Sequence, residues 1–275
     1  METTRDLYLD LIEKVLLFEL WDESKLWRTA PIEPHPFYKK WAVNKIVQHL
    51  AQTNRRIMEP VPFDDALRER GKDWPALAHT MIGRRRLKNL RECCEFVIEN
   101  KIPGDFIETG VWRGGSCIFM RAILKAYEIK DRTVWVADSF EGLPRPNWDA
   151  YPDDHNDNLY SYDELRVSLS EVQDNFAKFG LLDDQVQFLK GWFKDTLPTS
   201  PIERLAVLRL DGDMYESTWE ALSALYPKLS SGGYCIIDDY FLPACEKAVL
   251  DFRAQNGITE EIIGIDGMGR YWQRN

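Results

Sequence analysis

The strongest constraint on this chain is a series of short apolar segments that recurs from residue 79 onward. Each ends in glycine or an acid, and most are followed by a helical pattern. Residues 105–110, 133–138, 186–191, 205–211 and 233–239 predict strands, with helices over 115–128, 161–179, 217–229 and 244–256. Two short strands, 261–266 and 269–273, lie nearly adjacent in sequence and predict a terminal hairpin. Seven strands alternating with helices imply an α/β, doubly wound, mostly parallel sheet covered on both faces. Ligands then belong at the carboxyl ends of the strands.

Residues 1–78 have another texture. Leu7, Leu11 and Val15, with Tyr8, Ile12 and Leu16, form an i, i+4 apolar stripe. Pro31, Pro34 and Pro36 follow, then a helical pattern over 38–53, then Pro60, Pro62 and Pro75. A chain of 275 residues suits one core domain with an extension. The expected division is therefore 1–78, a helical extension serving as cap or oligomer contact, and 79–275, the α/β domain. The 45 acids against 35 bases give a net charge of −10, which argues against a nucleic-acid or anionic-membrane binder. Residues 7–20 are apolar but broken by Asp10, Glu13, Lys14 and Glu19, so no membrane span is expected there. Cys93, Cys94, Cys117, Cys235 and Cys245 contain no Cys-x-x-Cys pair, which disfavours zinc and a disulfide framework and fits a reducing, cytoplasmic compartment.

Two strand ends read as a nucleotide-type site. Residues 108–116 (ETGVWRGGS) leave a strand and enter a helix, and Gly110, Gly114 and Gly115 permit a sharp turn with backbone close to a ligand. Amides at the helix start favour an anionic group. The spacing is not the G-x-G-x-x-G of dinucleotide folds, and the competing reading is a tight structural turn. Asp138 ends the next strand, where an acid can accept both hydroxyls of a ribose. Ser139 follows it, and Gly191 and Trp192 end the third strand where an adenine would lie, although a lone tryptophan is more often core.

The strongest chemical signal is the placement of Asp211 after the fourth strand and of Asp238 and Asp239 after the fifth. Neighbouring strands lie ~5 Å apart, so three carboxylates would converge. Like charges share a small volume only with a cation or with bound protons. An all-oxygen set favours Mg²⁺, Ca²⁺ or Mn²⁺ over zinc. The competing reading is helix caps plus a solvated acid. Asp213 is a second candidate for base or outer ligand.

Other features read as structural. Residues 153–158 resemble a calcium loop but have His155 at the third position and Asn158 where glycine is required. Arg84, Arg85, Arg86 and Lys88 read as a solvated helix face. His35, His49, His79 and His155 are scattered, with no nucleophile set. The long irregular stretch 143–160 is placed to act as a lid.

Taken together, residues 80–83 (TMIG), 108–116, 138–144 (DSFEGLP), 191–198 (GWFKDTLP), 210–218 (LDGDMYEST) and 232–240 (GGYCIIDDY) resemble the macrocin O-methyltransferase family. The resemblance runs from about residue 79 to the end. It implies a class I, Rossmann-like methyltransferase fold, S-adenosylmethionine as methyl donor, Mg²⁺, a homodimer and a sugar or polyol hydroxyl of an antibiotic as acceptor. It places the metal on Asp211, Asp238 and Asp239, with Asp211 also the base. Cofactor contacts would come from Thr80, Met81, Glu108, Thr109, Gly110, Arg113, Gly114, Ser116, Asp138, Ser139, Gly191, Trp192 and Asp211. The segment from Trp21 to about Pro62 and the turn 265–269 depart from the family pattern, leaving acceptor identity open. Rival readings are a catechol-type O-methyltransferase, a nicotinamide-dependent dehydrogenase and a non-catalytic methyltransferase-like binding protein. The glycine spacing and the three carboxylates count against the dehydrogenase, and the presence of all three aspartates against the binding protein.

Overall fold

A computed structural model describes residues 3–22, 25–29, 45, 46, 49, 50, 52, 53, 55, 58–60, 63–155 and 157–275. Most of the helix expected over 38–53 lies outside them, as do Pro31, Pro34, Pro36 and Pro62.

Helix α1 (Thr4–Leu16) starts with a capping box, Thr3 Oγ1 accepting from Asp6 N–H and the Asp6 carboxylate accepting from Thr3 N–H at 2.9 Å. It buries Leu9, Ile12 and Leu16, while Leu7 and Leu11 are half exposed, so the buried stripe is rotated from the expected one. The apolar arc of α1 is wider than the face its neighbours cover. Strands β1 (Trp27–Thr29) and β2 (Met58–Pro60) form a small antiparallel ribbon. Helix α2 (Asp65–Glu69) is capped by Asp64, and α3 (Arg84–Glu99) follows.

The sheet is built from β3 (Asp105–Thr109), β4 (Val134–Asp138), β5 (Val186–Lys190), β6 (Leu205–Leu210), β7 (Leu229–Ile237), β8 (Ile263–Gly264) and β9 (Arg270–Gln273). The intervening helices are α4 (Gly115–Ala126), α5 (Leu169–Lys178), α6 (Phe193–Thr196), α7 (Tyr215–Leu225) and α8 (Pro243–Gln255). Strand order is β5-β4-β3-β6-β7-β9-β8, parallel except for β9, which is antiparallel to both neighbours. The expected seven-stranded, mostly parallel sheet and its terminal hairpin are therefore present. The chain runs outward from β3 to one edge and then from β6 to the other, which puts a topological switch point between β3 and β6.

Every residue of β6 is buried, as expected of a strand covered on both faces. The apolar core lies in two clusters that contain residues from opposite faces of the strands: Phe106, Val134, Val136, Val207 and Ile236 in one, and Ile107, Leu208, Leu210 and Ile237 in the other. Residues of α1, α3 and α4 join the first, and those of α7 and α8 the second. Leu9, Ile12 and Leu16 thus share the core of the sheet rather than forming one of their own.

Helix limits differ where local chemistry intervenes. The helix expected over 161–179 starts only at Leu169, because Ser168 caps it by accepting from Glu171 N–H at 3.2 Å. The helix expected over 217–229 ends at Leu225, since Pro227 cannot continue it. No helix among the described residues is long and apolar enough to cross a membrane, and all five cysteines are buried and free.

Candidate active site

The parallel ladder aligns the strand ends into one row. Gly191 N–H donates to Asp138 O at 2.9 Å, Gly110 N–H to Ala137 O at 2.9 Å, Asp211 N–H to Thr109 O at 2.9 Å and Asp238 N–H to Leu210 O at 2.8 Å. Gly191, Asp138, Gly110, Asp211 and Asp238 therefore follow one another across the carboxyl edge. Gly110 has φ +81°, and a Cβ there would lie 1.7 Å from Asp211 O, so only glycine lets β3 turn this close to β6.

A cavity opens over this row. Of the residues singled out in the sequence, Met81, Gly110, Asp138, Ser139, Gly191, Trp192 and Asp211 line it. Asp213 does as well, and so does the expected lid through Leu143, Pro144, Arg145 and Asn147. Trp112, Phe193, Lys194, Glu216, Ser217 and Glu220 complete much of the wall and were not anticipated. All but Glu220 lie inside the motifs at 108–116, 191–198 and 210–218, but a motif does not distinguish the residues that face the cavity from those that do not.

Asp138 is doubly anchored, Oδ2 accepting from Val111 N–H at 2.8 Å and Oδ1 from Phe140 N–H at 2.6 Å. Its carboxylate fixes the loops on either side of the strand end and still faces the cavity. Thr80, Thr109, Gly114 and Ser116 are buried outside the lining. Arg113 also lies off the lining, where its guanidinium donates to Ala78 O at 2.8 Å and Ala76 O at 3.2 Å, joining the glycine turn to the segment before Thr80. Glu108 is 2% exposed and faces inward, with Cys117 Sγ at 3.0 Å. Burial, opposed by Arg209, pushes its carboxyl up to about 7.

Asp211, Asp238 and Asp239 converge: each offers a carboxylate oxygen, all within 4.8 Å of one another. Two arginines meet them there. Arg209, 1% exposed on β6, pairs through Nη1 with Glu108 and with Asp211 (2.8 Å), and through Nη2 with Asp238. Arg86, 5% exposed on α3, pairs with the other oxygen of Asp238 and with Asp266 at 3.0 Å. Arg86 thus overturns the expectation of a solvated face for 84–88: α3 turns this one arginine of the run inward, and its three-carbon stem brings the guanidinium to the end of β7. Protons and a bound cation are not the only means of sharing charge here, because the chain supplies two guanidiniums of its own.

They do not balance it. Glu108, Asp211, Asp213, Asp238, Asp239 and Asp266 are six carboxyls against two guanidiniums. Burial, then Asp211, Asp157 and Asp238, push Asp213 up to about 8, and burial with Asp213, Asp211 and Asp238 pushes Asp239 well above the carboxylate range. An oxygen donor set with surplus negative charge suits a hard divalent cation.

The wall opposite is held by a side chain from far away in sequence. Asp154, 1% exposed, accepts from Tyr215 N–H at 2.6 Å and Glu216 N–H at 3.0 Å, capping α7 across 61 residues where Met214 offers no side-chain cap. This fixes the stretch after Asn147 against the helix that carries Glu216, Ser217 and Glu220.

A sequence-family model described as macrocin-O-methyltransferase (TylF) matches residues 5–274. The chain belongs to the macrocin-O-methyltransferase family. It is 53% identical over 240 residues to mycinamicin III 3''-O-methyltransferase of Micromonospora griseorubida, covering 86% of this chain and 94% of that one. It is 57% identical over 214 residues to demethyldecarbamoylnovobiocin O-methyltransferase of Streptomyces niveus, covering 77% and 82%. The solved O-methyltransferase NovP superposes with a TM-score of 0.83 at 48% identity, covering 98% of this chain and 99% of that chain. The calicheamicin methyltransferase CalS11 shares the fold, at TM-score 0.57 and 18% identity, covering 90% and 98%. The macrocin-O-methyltransferase family member described here is thus an O-methyltransferase with the class I, Rossmann-like fold, and its cavity lies where that fold places ligands.

Proposed function

We propose that this enzyme moves a methyl group from S-adenosylmethionine to a sugar hydroxyl of a glycosylated natural product, with Mg²⁺ held by Asp211, Asp238 and Asp239. The observation that carries the reading is that Asp138, Ser139, Gly191, Trp192 and Asp211 all line one cavity. Nucleoside recognition and proton acceptance thus meet in one space. The relatives' names support the acceptor class: one is an 8-demethyl-8-(2,3-dimethoxy-alpha-L-rhamnosyl)-tetracenomycin-C 4'-O-methyltransferase of Streptomyces olivaceus, 48% identical over 273 residues.

In this reading Asp138 takes the ribose hydroxyls and Gly191 and Trp192 flank the adenine. Thr80, Glu108, Thr109, Arg113, Gly114 and Ser116 act from behind the lining by shaping the glycine turn against which the cofactor lies. The methyl carbon leaves the sulfonium sulfur, which keeps the bonding pair and becomes a thioether, and a new C–O bond forms. Asp211 takes the hydroxyl proton as that bond forms. A divalent cation at the three aspartates would supply Lewis-acid polarisation of the acceptor oxygen. Met81, Trp112 and the 143–147 stretch exclude water and hold the acceptor in line with the sulfonium. A homodimer is carried as part of the proposal, to be read by light scattering.

The test is mass spectrometry of an acceptor panel after incubation with S-adenosylmethionine and Mg²⁺. The panel holds the three acceptors in the relatives' names and a simple catechol. A +14 product on a glycosylated member, lost in excess chelator, is expected. Methylation of the catechol alone overturns the acceptor class, and full activity in chelator overturns the metal.

A further inference from the structure

We propose that Arg209 is the positioning residue of the carboxylate cluster: its guanidinium sets the Asp211 and Asp238 oxygens at the spacing that one divalent cation can bridge. This rests on the metal reading above and deepens it.

Three observations carry it. First, Arg209 joins three neighbouring strands, with Glu108 at the end of β3, Asp211 just after β6 and Asp238 just after β7 all paired to one planar group. A guanidinium is a rigid fork whose donors have fixed directions, so three carboxylates bound to it are fixed relative to one another. Second, Asp238 is gripped from two sides, Arg209 taking Oδ1 and Arg86 taking Oδ2. Arg86 is itself held at 3.0 Å to both Asp266 and Gly71 O. Asp239, one residue on, has no arginine or lysine partner among the described residues. The cluster is therefore divided into a scaffolded carboxylate, Asp238, and two others, Asp211 and Asp239, whose placement relative to it decides whether a cation fits. Third, the arrangement is costly. Burying an arginine among carboxylates at 1% exposure is often no better for stability than apolar packing. Neutralising charge alone would need only a positive group, whereas fixing three strand ends needs the fork.

That distinction gives the experiment. Arg209→Lys keeps the charge and removes the fork. Mn²⁺ binding to the full-length protein is titrated by the room-temperature EPR signal of free Mn²⁺, with S-adenosylmethionine binding followed in parallel by calorimetry. Wild type is expected to bind Mn²⁺ displaceably by Mg²⁺. Arg209→Lys is expected to weaken Mn²⁺ at least tenfold while S-adenosylmethionine affinity stays within threefold. Arg121→Lys, the same change at another buried arginine, which pairs with Asp183 and with none of the cluster carboxylates, is expected to keep Mn²⁺ affinity within threefold. Wild-type Mn²⁺ affinity in Arg209→Lys overturns the proposal, as does an equal loss in Arg121→Lys, which marks a general loss of structure. Absence of Mn²⁺ binding by wild type overturns the metal reading and this proposal with it. Should Arg209→Lys fail to fold, Glu108→Gln replaces it: removing the charged anchor of Nη1 is expected to weaken Mn²⁺ threefold or more, and an unchanged affinity overturns the proposal.

Discussion

Ionisable groups are buried in this enzyme for different ends, and Asp211 and Glu13 mark the extremes. Asp211 faces the cavity, and its Oδ2 accepts from Arg209 at 2.8 Å. Asp211→Asn is nearly isosteric but can neither take the proton nor complete the trio. It should lower kcat by at least 10³ while S-adenosylmethionine affinity, by calorimetry, stays within threefold; a kcat within tenfold of wild type would show that Asp211 is not the base. Glu13 on α1 has no such task. Burial, with Arg91 opposing, pushes its carboxyl up to about 7 from the ordinary 4.5. The folded state therefore holds the proton more tightly than the unfolded state, and the associated stability is present below pH 4.5 and lost as pH rises through 7. Glu13→Gln removes the cost of ionising there, so its Tm should exceed that of wild type at pH 8 and approach it at pH 5. A difference independent of pH would dismiss the assignment. At this scale the sequence was informative where chemistry repeats by position. Asp211, Asp238 and Asp239 are legible because each follows an apolar run. Arg209 is not, since one arginine inside an apolar strand carries no sign of partners at positions 108 and 238. Arg86 is disguised by Arg84 and Arg85, which pair nearer the surface with Asp65 and Glu69.

Among the elements, α7 depends on a cap it does not own. Removing a helix cap costs ~1 kcal/mol, and Asp154 satisfies two amides at once. Asp154→Ala should lower stability by about 1–2 kcal/mol and speed hydrogen exchange at Tyr215 and Glu216 together with residues 147–155. Faster exchange in one segment without the other would show that they are not coupled. The turn after β3 admits still less change. Gly110→Ala places a methyl against Asp211 O, so soluble protein should fall sharply, and any that folds should bind S-adenosylmethionine at least tenfold more weakly by calorimetry. Wild-type yield and affinity would show that the strand ends separate readily. Element types were legible from alternation and glycine punctuation. The start of α5 and the end of α7 were displaced by Ser168 and Pro227, both local signals that a helical periodicity overrides when read alone.

For the molecule as a whole, the surplus of ten negative charges matters less than its concentration at one end of the sheet. A ligand that binds only the folded state at 100 times its Kd adds ~2.7 kcal/mol, or roughly 5–10 °C for a domain of this size. Mg²⁺ should therefore raise Tm, chelator should reverse the rise, and Asp239→Asn should abolish it. An equal rise with Asp239→Asn would place the ion elsewhere. The mostly parallel seven-stranded sheet was legible from the alternation of strand and helix, whereas its strand order is seen only in the fold. The packing of α1 into the sheet's core was half legible: Ile12, Leu16 and Tyr8 of the apolar stripe meet that core, whereas Leu7 and Leu11 of the same stripe are half exposed.

Strand β9 is among the last elements in the sequence yet sits inside the sheet, between β7 and β8, with Trp272 wholly enclosed and Arg274 N–H donating to Gly233 O at 2.8 Å. Until those residues have been synthesised, the backbone of residues 234–237 has no partner on that side. Any product cut short before Arg270 would present an apolar, unpaired strand edge, a template for intermolecular pairing. Nonsense or frameshift products of this enzyme should thus be sticky rather than merely inactive.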